Sequence, residues 1–154
     1  KGVAWERNPK LFYLGMQDQY YTFNMFDAQA WWARDVMLGR IELPSAAEMA
    51  ADSAGWLERE EALETAYEEI DFQGDYTQEL VDATDYPDFN IGEVNRMFKE
   101  WKGHKSADIM GYRNLGFPST LTGTEAPIHH TPWMEAMDDS MATYLLDEAP
   151  EGGG

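Results

Sequence analysis

Hydrophobic and polar positions follow two different patterns along this chain, and the change falls just after residue 21. Before it stand two short apolar runs, Val3-Ala4-Trp5 and Leu11-Phe12-Tyr13-Leu14, separated by Arg7-Asn8-Pro9-Lys10. Asn-Pro favours turn initiation, so the pattern predicts two strands around that turn, the second one buried and ending at Gly15. Two strands alone make no stable sheet. The pair is therefore expected to complete a sheet supplied by another polypeptide segment.

From there on the spacing is helical. Asn24 is a cap for a helix over residues 25–38, with Gly39 as its stop. Met25, Phe26, Ala28, Ala30, Trp31, Trp32, Ala33, Val36 and Met37 cover most of its circumference, which predicts burial on several sides. Ser45-Ala46-Ala47-Glu48 has the capping-box pattern and starts a helix running to about residue 67, apolar at Met49, Trp56, Leu57 and Leu63 and acidic elsewhere. Gly74-Asp75 introduces a short helix through Leu80-Val81, which Asp85-Tyr86-Pro87-Asp88 breaks.

Asn90, with Glu93 at the box position, caps a helix over residues 91–102 that Gly103 terminates. Ile91, Val94, Met97, Phe98 and Trp101 line its inner face. A shorter helix is predicted over residues 107–113, then an irregular stretch over 114–130. Pro at the first helical position marks a last helix at Thr131-Pro132, with Trp133, Met137, Met141, Tyr144 and Leu145 on one face. The tail 150–154 reads as disordered. No internal repeat interrupts this order.

Composition narrows the picture. Apolar residues make up 44% of 154 positions, enough for one domain with a core. No apolar run approaches the roughly 20 residues that span a bilayer, and no signal peptide is visible. Without cysteine, disulfides, thiolate metal sites and cysteine nucleophiles are excluded. The net charge of −18 would repel nucleic acid and anionic membranes, so neither is expected as a partner. These features fit a cytoplasmic protein with a solvated acidic surface; an electrostatic lure for cationic substrates is the alternative.

The chain opens with Lys1 rather than Met, inside a predicted strand. A processed chain or the C-terminal part of something larger is expected.

Candidate chemistry gathers after Gly15. Gln17, Gln19 and Thr22 are neutral donors and acceptors at a strand end, where ligands sit in open α/β sheets, and they suit the edge of a flavin ring. They equally satisfy a loop backbone. Asp18, Tyr20 and Tyr21 put a carboxylate beside aromatic faces, a box for an alkylammonium or plain core packing. Trp101 is a core residue by its helical position.

Arg113 stands at a helix end before a loop, placed for a phosphate or amide of a nicotinamide cofactor or for a salt bridge. His129-His130 with Glu125 makes a poor metal site, because adjacent histidines rarely share an ion and His104 lies elsewhere. No metal is expected. There is no G-x-S-x-G, no dinucleotide fingerprint and no phosphate loop.

The run Gly15-Met16-Gln17-Asp18-Gln19-Tyr20-Tyr21-Thr22-Phe23-Asn24-Met25-Phe26-Asp27, with Ala28-Gln29-Ala30-Trp31, resembles the C-terminal part of the bacterial flavin-containing monooxygenases of the trimethylamine-oxidising type. The resemblance continues through Gln73-Gly74-Asp75-Tyr76, Thr84-Asp85-Tyr86-Pro87, Glu100-Trp101-Lys102 and Tyr112-Arg113, and then Leu121-Thr122-Gly123-Thr124, His129-His130-Thr131-Pro132-Trp133 and Asp138-Asp139-Ser140. It implies an enzyme that uses FAD, NADPH and oxygen to oxygenate soft nucleophiles such as tertiary amines.

By that likeness Gln19 and Thr22 contact FAD, Arg113 helps hold NADP, and Asp18, Tyr20 and Trp101 border the amine pocket. Trimethylamine specialists of the family often carry Trp where this chain has Tyr20, which keeps an aromatic face there. The family's Gly-rich FAD fingerprint and second nucleotide fold are absent from this sequence. The implied catalytic unit therefore needs an N-terminal nucleotide-binding portion as partner, within a homodimer of the full enzyme, and this chain alone is expected to be inactive.

The predicted fold is the α-rich C-terminal part of an α/β flavoprotein with two dinucleotide-binding domains. A short β-hairpin completes the FAD-domain sheet and five to six helices follow. Residues 1–40 would end the FAD-binding domain, and 41–149 would form a helical C-terminal region. Two functions follow: the portion of an amine-oxygenating flavin monooxygenase that supplies flavin contacts and the amine pocket, or a non-catalytic acidic helical interaction or oligomerisation module derived from that family.

Overall fold

A computed structural model of the chain describes residues 2–15, 20–120 and 122–125. Strands β1 (Ala4–Trp5) and β2 (Asn8–Phe12) form an antiparallel hairpin with an irregular register between Ala4 and Trp5. Helices α1 (Thr22–Met37), α2 (Ala46–Glu61), α3 (Ala66–Asp82) and α4 (Ile91–Ala107) follow, and a single 3-10 turn, Tyr112–Asn114, comes after α4. Among the described residues the molecule is thus helix-rich with one two-stranded sheet. The helix expected from Thr131 and the tail from 150 lie outside the described residues, as do His129 and His130.

The hairpin departs from the expected one. Its turn is Glu6-Arg7, and Asn8 and Pro9 belong to β2. Proline is tolerated there because a two-stranded ribbon has only edge strands, which leave outward N–H groups unpaired in any case. The predicted buried strand is not buried in this chain: Leu11, Tyr13 and Leu14 are 37%, 41% and 47% exposed. Val3 is the residue that anchors the hairpin, fully buried and accepting the Tyr13 amide at 2.8 Å.

Helix α1 begins two residues before the predicted cap. Asn24 lies inside it, and Tyr21 occupies the cap position without a side-chain bond to the helix's own first amides. Gly39 does stop it, at φ +69°, a left-handed conformation that a side chain would disfavour. One face alone is buried, through Met25, Ala28, Gln29, Trp32, Ala33 and Asp35, whereas Phe23 and Met37 are exposed.

The single helix expected over 45–67 is two. Ser45 and Glu48 form the predicted capping box on α2, but a second box, Thr65 with Glu68, opens α3. Each box satisfies N–H groups that a new helix start leaves unpaired. Gly74 consequently lies in the middle of α3 rather than at a helix entrance. Asn90 caps α4 by accepting the Glu93 amide at 3.0 Å, while the Glu93 carboxylate turns to Arg96 instead of closing a box. Gly103 does not end α4, which continues to Ala107, and the helix expected over 107–113 is replaced by a turn at Asp108 and the 3-10 segment.

The core is the seam where α1 packs on α3 and α3 on α4. Val3, Tyr21, Met25, Ala28, Trp32, Ala33, Tyr76, Leu80 and Ile91 form one buried cluster. Helix α2 contributes no buried residue, and its half-buried Trp56 packs against this cluster from outside. No described helix is long and apolar enough to cross a membrane.

Candidate functional site

The segment that carries the candidate ligand residues is tied at both described ends by buried amides. On one side the Gly15 amide donates to Gln29 Oε1 at 2.9 Å, and Gln29 Nε2 donates to the Tyr76 hydroxyl at 3.0 Å. On the other, the Tyr20 amide donates to Gln73 Oε1. Gln29 is fully buried and Gln73 nearly so. A buried amide retains its place only when its polar atoms are paired, so each glutamine holds a backbone position with little freedom. Gln17, Asp18 and Gln19 lie between these ends and outside the described residues.

Tyr21 is the pivot beneath. Its hydroxyl shares its one proton between the Asn95 side-chain oxygen and, at 3.2 Å, the Ile91 carbonyl. Asn95 Nδ2 donates to Asp71 Oδ1 at 3.1 Å, and Lys99 pairs with Asp71 Oδ2 at 2.6 Å. Burial pushes the Tyr21 phenol well above its ordinary range, and the nearby Asp71 and Asp75 carboxylates add to this. Gly74 makes the close approach possible: a Cβ there would stand 2.6 Å from Asn95 Oδ1. The start of α1 is thereby locked against α3 and α4.

Above this pivot a cleft of about 400 Å³ opens between the start of α1 and the inner face of α4. Tyr20, Thr22, Val94, Met97, Phe98, Trp101 and Phe117 line it. Tyr20 stands edge-on to Phe98 and Trp101, with ring centroids 5.7 and 6.5 Å apart. Aromatic pairs prefer this geometry because ring edges are positive and faces negative. The described lining carries no formal charge, so the cleft offers apolar contact and π faces to a small, compact ligand.

Three of the sequence-predicted site residues, Tyr20, Thr22 and Trp101, are brought together here from positions 20, 22 and 101. Arg113 is not in the cleft. It is exposed on the 3-10 turn, its guanidinium 4.6 Å from the centre of the Tyr112 ring, and Tyr112 in turn stands edge-on to Trp101 at 5.6 Å. No group of acidic or histidine side chains able to hold a metal occurs among the described residues. A larger cavity of about 680 Å³ between α2 and α3 contains none of the predicted residues.

The supporting residues Gln29, Gln73 and Asn95 are missing from the sequence-based set. Their signal was a neutral amide on the apolar face of a helix, a residue type that a buried face retains only when something pairs with it.

This geometry stands beside a clear set of relatives. Over 145 residues, 94% of this chain, the sequence is 60% identical to a trimethylamine monooxygenase of Roseovarius sp. (strain 217). A trimethylamine monooxygenase of Methylocella silvestris is 58% identical over 144 residues, again 94% of the chain. The chain is similar to trimethylamine monooxygenases along nearly its whole length. A flavin-containing monooxygenase of the GS-OX-like type from Arabidopsis thaliana is 33% identical over 84 residues, 51% of the chain and 18% of that protein. The resemblance seen in the motifs is thus borne out. The chain spans about a third of the length of the curated relatives it matches, 33% and 32% for the two bacterial proteins. No protein-family model matches it.

Proposed function

We propose that this chain is the C-terminal portion of an NADPH- and oxygen-dependent flavin monooxygenase that converts trimethylamine to its N-oxide, with related amines and sulfides as further substrates. The observation that carries this is the coincidence of two things. The chain is similar to trimethylamine monooxygenases over 94% of its length, and the residues that likeness assigns to the amine pocket, Tyr20 and Trp101, line one aromatic cleft. A compact amine with methyl groups suits apolar walls and ring faces, and its nitrogen is the soft nucleophile that accepts oxygen.

In this reading the flavin, held mainly by the nucleotide-binding portion, supplies the oxygen-transfer chemistry when bound. The residues of this chain do the rest. Tyr20 and Trp101 orient the amine, Phe98 and Met97 exclude water, and Thr22 and Gln19 meet the flavin edge. Asp18 borders the amine, and Arg113, exposed beside the cleft, holds a phosphate or amide of NADP. The exposed Leu11, Tyr13 and Leu14 belong against the FAD-domain sheet that the hairpin completes.

Trimethylamine-dependent NADPH oxidation by the assembled enzyme is the test. Tyr20→Ala and Trp101→Ala should each raise the KM for trimethylamine about tenfold or more, the scale of losing an aromatic contact plus its apolar burial. Wild-type KM in both variants would remove the pocket assignment. A chain that binds partners yet neither associates with flavin nor supports amine oxidation in any assembly would favour the interaction module instead.

A further inference from the structure

The charge distribution around Trp101 runs against that of the chain. Residues 99–113 hold Lys99, Lys102, Lys105 and Arg113 against Glu100 and Asp108, four basic groups to two acidic, in a chain whose net charge is −18. Of these, Lys105 lies on the indole itself. Its ammonium is 5.1 Å from the centre of the Trp101 ring and 5.9 Å from that of Tyr112. Neither Lys105 nor Tyr112 lines the cleft, whereas Tyr20, which also meets the Trp101 ring, does. Lys105 also sits in the last turn of α4, where the helix dipole favours a cation.

An aromatic cleft in an acidic protein is by itself a trap for alkylammonium ions. For an amine oxygenase that is the wrong form, because a protonated nitrogen has no lone pair to accept oxygen. We propose that Lys105 is a specificity-determining residue: its positive charge against Trp101, outside the cleft, disfavours cationic ligands there, opposes the pull of the Asp18 carboxylate and shifts the site toward the neutral amine. This rests on the amine-pocket reading above. Lys105 touches no substrate; it acts through the Trp101 ring.

The size of the effect follows from distance. A ligand nitrogen on the cleft side would lie roughly 10 Å from the Lys105 ammonium, and at an effective dielectric constant of about 20–40 one unit charge at that range changes cation affinity about 4- to 16-fold. A neutral ligand of the same shape should be nearly indifferent.

The test uses the assembled enzyme, with Lys105→Met to keep the aliphatic stem and Lys105→Arg to keep the charge. Binding of tetramethylammonium, a permanent cation, and of tert-butanol, a neutral molecule of similar outline, is followed by calorimetry and by Trp fluorescence. In Lys105→Met, tetramethylammonium affinity should rise at least about fourfold. Tert-butanol affinity should stay within about twofold, and Lys105→Arg should behave as wild type. Equal tetramethylammonium binding by wild type and Lys105→Met overturns the inference, as does an equal gain for both probes, which would mark a simple change of shape. Binding of neither probe by any of the proteins also overturns it. Oxidation of trimethylamine by the wild-type enzyme is read separately, so a failure of the amine-oxygenase reading is seen on its own.

Discussion

Helices α2 and α4 both pack against α3, but they are held in different ways. Helix α4 buries Ile91 in the core cluster, receives the Tyr21 hydroxyl, and is linked to α3 through Asn95, Asp71 and Lys99. Helix α2 has no buried residue. It leans on α3 through Trp56, edge-on to Phe72 and Tyr76 at 5.2 and 5.3 Å, and through an exposed pair of Arg59 with Asp75. The buried Tyr21 phenol fixes α4 in position, with the half-exposed Lys99–Asp71 pair beside it, whereas ring contacts and an exposed ion pair only keep α2 close. The wall that forms the cleft is the fixed one.

The strongest way to break this contrast is to remove the pivot. Tyr21→Ala empties the space under α1 and takes the hydroxyl donor from Asn95 Oδ1, and it should cost about 3–5 kcal/mol of stability in urea unfolding. A loss under 1 kcal/mol would show that α4 does not depend on Tyr21.

Tyr21→Phe is subtler. It keeps the ring and deletes the hydroxyl, with an expected cost of about 1–3 kcal/mol at neutral pH. Its pH dependence sharpens the point. The Tyr21 phenol titrates above its ordinary value of 10.0 when folded. Its contribution is therefore complete below that pH and fades as pH rises from there through the folded-state pKa. The stability gap between wild type and Tyr21→Phe should narrow above pH 10; a constant gap would contradict the role of the neutral phenol.

On the α2 side the effects should be smaller. Thr65→Ala removes the box that separates α2 from α3 and should cost about 1 kcal/mol. Glu68 is held below its usual carboxylate range by the Glu64 amide and by Thr65, so the share of the box that its carboxylate supplies, as distinct from the Thr65 cap on the Glu68 amide, is present above that range. It disappears as pH falls through the lowered value. Arg59→Met should change stability by no more than about 1 kcal/mol, since both partners of its ion pair are exposed. Amide exchange gives the direct comparison: α2 amides should exchange at lower free energy than those of α4. Equal protection would erase the distinction.

Much of this arrangement was legible in the residues. Ser45 with Glu48 and Asn90 before Ile91 are short-range signals, and both cap helices as predicted. Thr65 with Glu68 has the same pattern, but the acidic run on either side continues the helical rhythm and hides the break. The hairpin turn differs for a related reason: Asn-Pro is a turn signal, yet on an edge strand its missing donor does no harm, and the turn falls at Glu6-Arg7.

The cleft was legible in part. The residues alone leave Trp101 a core residue and Tyr20 and Thr22 open between roles; the family resemblance singles out all three, and the structure brings them to one cleft. Leu11 and Leu14 were expected to be buried because they are apolar; what covers such residues is a matter of what lies against them, which no run of letters states.

What the sequence by itself determined is local and compositional: the capped starts of α2 and α4, the apolar face of α4, the lack of cysteine in this chain, and the likeness to trimethylamine monooxygenases. These depend on neighbours within one or two turns, or on the residue types alone. Only the tertiary structure decided that Gln73 would hold Tyr20, 53 positions away, and that Tyr21 would meet Asn95, 74 positions away. Such pairings have no local signature. A buried amide or phenol is stable only where a partner from a distant segment completes its hydrogen bonds, and that partner is chosen when the helices pack.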